Sequence, residues 1–168
     1  MFRSKRVITA CLAVCILLGL LAMPQSLASE RYYLLLSDDS ATYSLDSKTL
    51  KYSKDGTWLY MDAWVKLDYT AKGVQEKIRS RQKHNLPTTG FSELKSGFWH
   101  DLYAYSPSRN KMMIMTYGSI YYSHDGTILD SYDEKSPEWR DVVPGSLGEA
   151  LLEEIYAYCQ KNLYPTPR

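Results

Sequence analysis

The chain beyond its first 28 residues is predicted to be α+β: an antiparallel sheet of about six strands, a C-terminal helix packed on it, and a short basic helix in one connection. Three observations lead there. Fifteen tyrosines and four tryptophans in 168 residues favour pleated, half-buried surfaces over a helical bundle. Thr57 to Tyr69 alternates, with Leu59, Met61, Ala63, Val65 and Leu67 on one side and Trp58, Tyr60, Asp62, Trp64, Lys66 and Asp68 on the other. Near the C-terminus the apolar period becomes four, as Leu147, Leu151, Ile155 and Cys159 recur on one helical stripe that Ala150 and Tyr158 widen.

The N-terminus reads as a secretory signal over residues 1–28. Arg3, Lys5 and Arg6 form a basic start, Val7 to Met23 is apolar, and Ser26-Leu27-Ala28 supplies small residues for cleavage before Ser29. An uncleaved anchor is the alternative, because roughly 17 apolar residues are about the shortest bilayer span. Cys11 and Cys15 lie inside the run, and neither has the setting of a lipidation site: Val14 precedes Cys15, and the apolar run continues well past Cys11. Cys159 then stands alone in the exported part, either as a buried thiol or in an intermolecular bridge. Residues 29–168 have the length of one domain.

The strands follow in order. Tyr32 to Leu36 and Ala41 to Leu45 pair across Ser37-Asp38-Asp39-Ser40. Thr49 to Ser53 pairs with the alternating strand through Lys54-Asp55-Gly56, where Gly56 takes the positive φ of a hairpin turn. Lys72 to His84, with Val74 and Ile78 four apart, is a surface helix. Phe98 to Tyr105, Lys111 to Tyr117, Ile120 to Ser123 and Thr127 to Ser131 complete the sheet, the last two joined at Asp125-Gly126. Pro144 and Gly145 stop the chain before a capping box. There the Ser146 hydroxyl accepts from the Glu149 amide and the Glu149 carboxylate returns a bond to Ser146. Glu149, Glu153 and Glu154 near the helix start and Lys161 near its end suit the helix dipole. The tail from Tyr164 is expected to fray.

Trp139-Arg140-Asp141-Val142-Val143-Pro144-Gly145-Ser146, followed by a helix ending in Cys159, is a recognisable order of residues. Together with the Tyr-rich first pair, the Trp64-centred strand and the aromatic hairpin before it, this order resembles the bacterial surface-adhesin protein E-like domain family over essentially all of residues 29–168. The resemblance implies an exported antiparallel sheet with a C-terminal helix; founding members of the family bind host extracellular-matrix proteins. It also implies a disulfide from the strand before the Arg-rich hairpin to the C-terminal helix. The matching region, Tyr103-Ala104-Tyr105-Ser106-Pro107-Ser108-Arg109, has serine there. A staple closing a loop of about 50 residues is worth roughly 4 kcal/mol in the loop-entropy account, so packing alone must hold this helix.

The sequence carries no catalytic or metal motif, and no cofactor is expected. His84, His100 and His124 are isolated. In His100-Asp101 and His124-Asp125 the neighbours would point to opposite faces of a strand, which prevents a His–Asp bond between them. Asp130, Asp133, Glu134 and Glu138 lack the glycine turn and alternating ligands of a calcium loop.

Two surfaces remain as binding candidates. Lys72, Lys77, Arg79, Arg81 and Lys83 against Glu76 give residues 71–84 a charge of +4, whereas Asp125, Asp130, Asp133, Glu134 and Glu138 against Lys135 give residues 125–138 a charge of −4. The basic segment, represented by Lys77, Arg79, Arg81 and Lys83, could grip an anionic glycan, lipid headgroups or an acidic protein segment; the plainer reading is a solvated helix face. Trp58, Tyr60 and Trp64 form the second candidate, unless the stretch from Asn85 to Gly97 covers them. Losing Arg3, Lys5 and Arg6 from twenty basic residues against nineteen acidic leaves a net charge of −2, which implies no global attraction to nucleic acid. The expectation is an exported, non-enzymatic binding module without a stable membrane span after cleavage, partnered by a protein or anionic glycan or by a second copy. The alternative is an envelope-resident structural or accessory protein.

Overall fold

The computed structural model describes residues 31–163. The expected signal with its cleavage point before Ser29, Cys11 and Cys15, and the tail from Tyr164 lie outside the described residues. The described chain is α+β, an antiparallel sheet with two helices. Strands β1 (Tyr32–Ser37) and β2 (Ala41–Asp46) form the first pair. Their turn is closed by Asp38, whose Oδ1 accepts from the amides of Ser40 and Ala41 at 2.7 and 2.8 Å. Strands β3 (Lys51–Asp55) and β4 (Trp58–Tyr69) form the second, with Gly56 at φ 56° in the turn as the sequence requires. The expected first arm, Thr49 to Ser53, is thus displaced by two residues.

Helix α1 (Ala71–Lys83) follows β4, and β5 (Leu94–Ser106), β6 (Lys111–Ser123), β7 (Ile128–Asp133), the two-residue β8 (Arg140–Asp141) and α2 (Leu147–Asn162) complete the chain. The sheet runs β1-β2-β4-β5-β6-β7, with β3 paired to β4 and β8 to β6. β2 and β3 share one edge of β4, β2 against Val65–Tyr69 and β3 against Trp58–Asp62.

The segments expected as two strands, Lys111 to Tyr117 and Ile120 to Ser123, are one. Gly118 and Ser119 read as a break, but the backbone bulges between Thr116 and Gly118 opposite His100 and Asp101 and pairing resumes. Gly118 is required by close approach: a Cβ there would strike the Tyr132 carbonyl oxygen of β7.

The alternating faces of β4 follow the sequence pattern. Leu59, Met61, Ala63, Val65 and Leu67 are at most 8% exposed. Met61, Ala63, Val65 and Leu67, with Leu45 and Tyr103, form one core with Leu151, Leu152, Ile155 and Cys159 of α2. Each fully buried Leu or Ile on that helix stabilises by about 1.5–3 kcal/mol in transfer terms. Leu152 joins the stripe, which the period-four reading passed over.

Cys159 is the buried, free thiol of that core, and burial pushes its pKa up to about 12, so it takes part in no intermolecular bridge in this arrangement. The cap differs in one half from the expected box. Ser146 Oγ accepts from the Glu149 amide at 3.3 Å, but Glu149 Oε2 takes the Gly145 amide at 2.6 Å, because the Ser146 amide is already held by the Val143 carbonyl.

Helix α1 lies on the same side of the sheet as α2. Its Val74 and Ile78 meet Phe91, Leu94, Tyr121 and Leu129 in a second small core. Thr70 caps it, accepting from the Gly73 amide at 3.1 Å while donating to the Asp39 carbonyl at 2.5 Å, and Ser40 Oγ donates to Glu76 Oε2 at 2.5 Å. These bonds fasten the helix start to the β1–β2 turn. Among the described residues no helix is long and apolar enough to cross a membrane.

Candidate functional site

With both helices on one face, the other face of the sheet carries no helix among the described residues. The register assigns its side chains. Trp58, Tyr60, Asp62, Trp64, Lys66 and Asp68 of β4 are joined by Phe98, His100, Leu102 and Ala104 of β5 and by Met113, Met115, Ile120 and Tyr122 of β6. The stretch from Asn85 to Gly97 does not cover them. Its Phe91 and Leu94 are buried on the helix side instead.

At the centre of this face, Trp64 and His100 are cross-strand partners and their rings stack, 4.5 Å apart and 11° from parallel. Tyr117, at the β6 bulge, brings its ring centre to 4.8 Å from that of His100. His100 Nε2 lies 2.8 Å from Asp62 Oδ1, and Asp62 Oδ2 lies 3.3 Å from Lys51 Nζ. In the neutral ring this contact makes Nε2 the donor and leaves Nδ1 as an acceptor.

Around this centre, Trp139 reaches from the β7–β8 connection to Tyr60 with ring centres 6.1 Å apart. Arg109 holds its guanidinium 5.9 Å from the Trp58 ring, and Phe98 joins Tyr32 and Tyr122 at 6.3 and 5.9 Å. The result is a broad face of half-buried aromatic rings interleaved with Asp, Lys, His and Met.

The three aromatic candidates, Trp58, Tyr60 and Trp64, therefore share one face. The diagonal cross-strand contact of His100 with Asp62 is not legible from sequence neighbours such as His100-Asp101. Its signal was weak, since 38 residues separate the partners. His100 and Asp101 do point to opposite faces. Asp101 is 4% exposed on the helix side, its Oδ2 accepts from the Tyr103 hydroxyl at 3.4 Å, and its Oδ1 has no partner. Burial raises its carboxyl above the ordinary range, and hydrogen bonds from Thr116 and Tyr103 oppose that rise less strongly.

The basic candidates divide. Arg79 and Lys83 are exposed. Arg81, expected on a solvated pole, is instead 6% exposed; it donates to Asp130 Oδ2 and to the Pro87 carbonyl, both at 2.5 Å, and its guanidinium lies 4.1 Å from the Phe91 ring. The reason is its phase: Val74, Ile78 and Arg81 fall on one helical stripe, so Arg81 enters the small core and needs a carboxylate there. Lys77 is half-buried, with Nζ donating to the Tyr121 hydroxyl at 2.6 Å. Lys72 pairs with Asp39 at 2.9 Å. The basic and acidic segments of the sequence thus meet within the molecule through Arg81 and Asp130.

The residues that carried the family resemblance are also distributed. Trp139 stands on the open face, Pro144, Gly145 and Ser146 start α2, and Cys159 lies in the core on the other side of the sheet. Comparison with known protein families, curated proteins and solved structures finds no match for this chain.

Proposed function

We propose that this chain is an exported, non-enzymatic binding module of the bacterial cell envelope or surface, akin to the surface-adhesin protein E-like domains. In this reading it engages an extracellular-matrix protein through the open aromatic face. One observation carries the reading: both helices share one side of the sheet, leaving Tyr60, Trp64, Phe98, His100 and Tyr122 half-buried and Trp139 exposed, with no helix over them among the described residues. Aromatic residues, methionine and arginine are the side chains that protein interfaces concentrate. A broad face offers area to a macromolecule, whereas small ligands are held in concave sites. The basic helix is the weaker candidate for a macromolecular contact, because Arg81 is committed to Asp130 and Lys77 is half-buried and turned into the cleft beside Tyr121 and so lies off the exposed helix face.

The test is titration of residues 29–168 onto purified extracellular-matrix proteins, beside the variants Trp64→Ala and Tyr60→Ala. Binding with Kd on the order of 1 μM, weakened about tenfold or more by each substitution, supports the reading. Binding that both variants retain unchanged overturns the assignment of the face. The second reading, an envelope-resident accessory without a host ligand, is favoured if matrix proteins are not bound and fractionation places the chain inside the envelope. A dimer in light scattering that Trp64→Ala dissociates would assign the face to a second copy.

A further inference from the structure

On the helix side, α1, the connection after it, and strands β6 and β7 enclose a cleft of about 560 Å3, within the size range of small-molecule sites. Its charge is uneven in a useful way. Lys77 and Arg81 bring two positive charges and Asp130 one negative, and the 2.5 Å contact of Arg81 with Asp130 pairs two of the three. One cation, Lys77, is left over.

An ammonium group has three N–H donors, and the Tyr121 hydroxyl takes one of them at 2.6 Å. Leu86, Phe91 and Leu129 give the cleft an apolar wall, and Leu86 keeps 50% of its surface exposed. Thr89 and Ser119 supply hydroxyl groups. Arg81 also fixes the wall itself, since its Nε holds the Pro87 carbonyl at 2.5 Å; the shape is therefore built before any ligand arrives.

We propose that this cleft binds a small acidic sugar, a ligand with one carboxylate, several hydroxyls and one apolar ring face. The carboxylate pairs with Lys77, the hydroxyls exchange bonds with the threonine and serine side chains, and the apolar ring face lies on Leu129 and Leu86. Charge complementarity selects the class: one unpaired cation calls for one anionic group. The same chemistry is presented by a free uronic acid and by the end of a polyuronate chain. The site lies on the opposite side of the sheet from the open aromatic face and does not depend on the reading given to that face.

The experiment is a nitrogen-labelled NMR titration of residues 29–168 with glucuronate, with glucose as the neutral counterpart, and with a polyuronate oligosaccharide. Glucuronate should shift the amides of Thr89, Leu129 and Ser131 with Kd on the order of 1 mM, and glucose at the same concentration should not. Lys77→Met should weaken glucuronate about tenfold or more, whereas Lys77→Arg should keep most of the affinity. A polyuronate oligosaccharide that binds more tightly than glucuronate identifies the polymer end as the source; equal or weaker binding identifies the free acid.

A readout independent of substitution comes from Tyr121. Burial opposes ionisation of its hydroxyl, but the Lys77 charge and the hydrogen bonds from Lys77, Ser119 and Trp99 together outweigh burial and lower its pKa. A carboxylate on Lys77 draws off that support, so glucuronate should move the tyrosinate band of Tyr121 to higher pH. Cleft amides unmoved by both acids, equal shifts with glucose, or undiminished binding by Lys77→Met would each overturn the proposal. Because Trp64→Ala and Tyr60→Ala lie outside the cleft, they should leave glucuronate binding intact.

Discussion

His100 is clamped from two directions: its ring lies flat on Trp64 at 4.5 Å, and its Nε2 reaches Asp62 Oδ1 at 2.8 Å. The stack fixes the plane of the imidazole and the carboxylate fixes its rotation, so the centre of the open face is ordered before any partner docks. An aromatic pair of this kind is worth about 0.5–1.5 kcal/mol beyond area burial. Trp64→Leu, which keeps an apolar side chain but removes the stack, should lower stability by about that amount in urea denaturation. No loss would mean that the stack is incidental.

Leu151 is 2% exposed at the contact between α2 and the sheet. Leu151→Ala leaves a cavity between elements that no disulfide joins, and should cost about 2–5 kcal/mol by chemical denaturation. A variant as stable as the parent chain would contradict the packing of α2.

Arg79 and Arg81 sit two residues apart with opposite fates. Arg79→Ala, at an exposed position, should change stability by no more than about 0.5 kcal/mol. Arg81→Ala removes the partner of Asp130 and a strut of the Pro87 connection, and should cost clearly more. The figure should fall below the ~3–5 kcal/mol of a fully buried pair, because the Asp130 side chain is 37% exposed and screened by water. Equal thermal stability of the two variants would refute the distinction.

Asp101 makes stability depend on pH in an unusual direction. Its folded carboxyl titrates above the ordinary value of 3.8, so in that window the native state holds a proton that the unfolded state has released. Its contribution therefore falls as pH rises through the folded value, and the charged carboxylate is a cost above it. Asp101→Asn should be more stable than the parent chain at neutral pH, with the gap closing as pH falls below the ordinary carboxylate range. A gap that is constant with pH would show that the charge is not its cause.

What the sequence made legible depended on how local the physics was. The alternation of β4 was readable because one face is covered by α2 and the other is not, so each side chain reports its own burial. The hairpin at Gly56 and the cap at Ser146 are set by a few adjacent residues. The continuity of β6 was hidden because Gly118 looks like a strand breaker, and only the nearby Tyr132 carbonyl explains it. The Asp62–His100 contact was hidden because it arises from strand register, and the burial of Arg81 because charge was read by composition when its helical phase with Val74 and Ile78 placed it inward.

The margins of the sheet bear on how molecules of this kind meet. β1 carries a bulge between Leu34 and Leu36, β3 exposes Lys51, Lys54 and Asp55, β7 carries Asp130 and Asp133, and β8 spans two residues. Bulges, charges and shortness are the devices that deny an incoming strand a straight, neutral template. Lateral zippering of one copy onto the next is thereby discouraged, although Leu34 keeps 58% of its surface exposed on β1. Margins of this kind work against the fusion of neighbouring sheets into fibrils when many copies are crowded together.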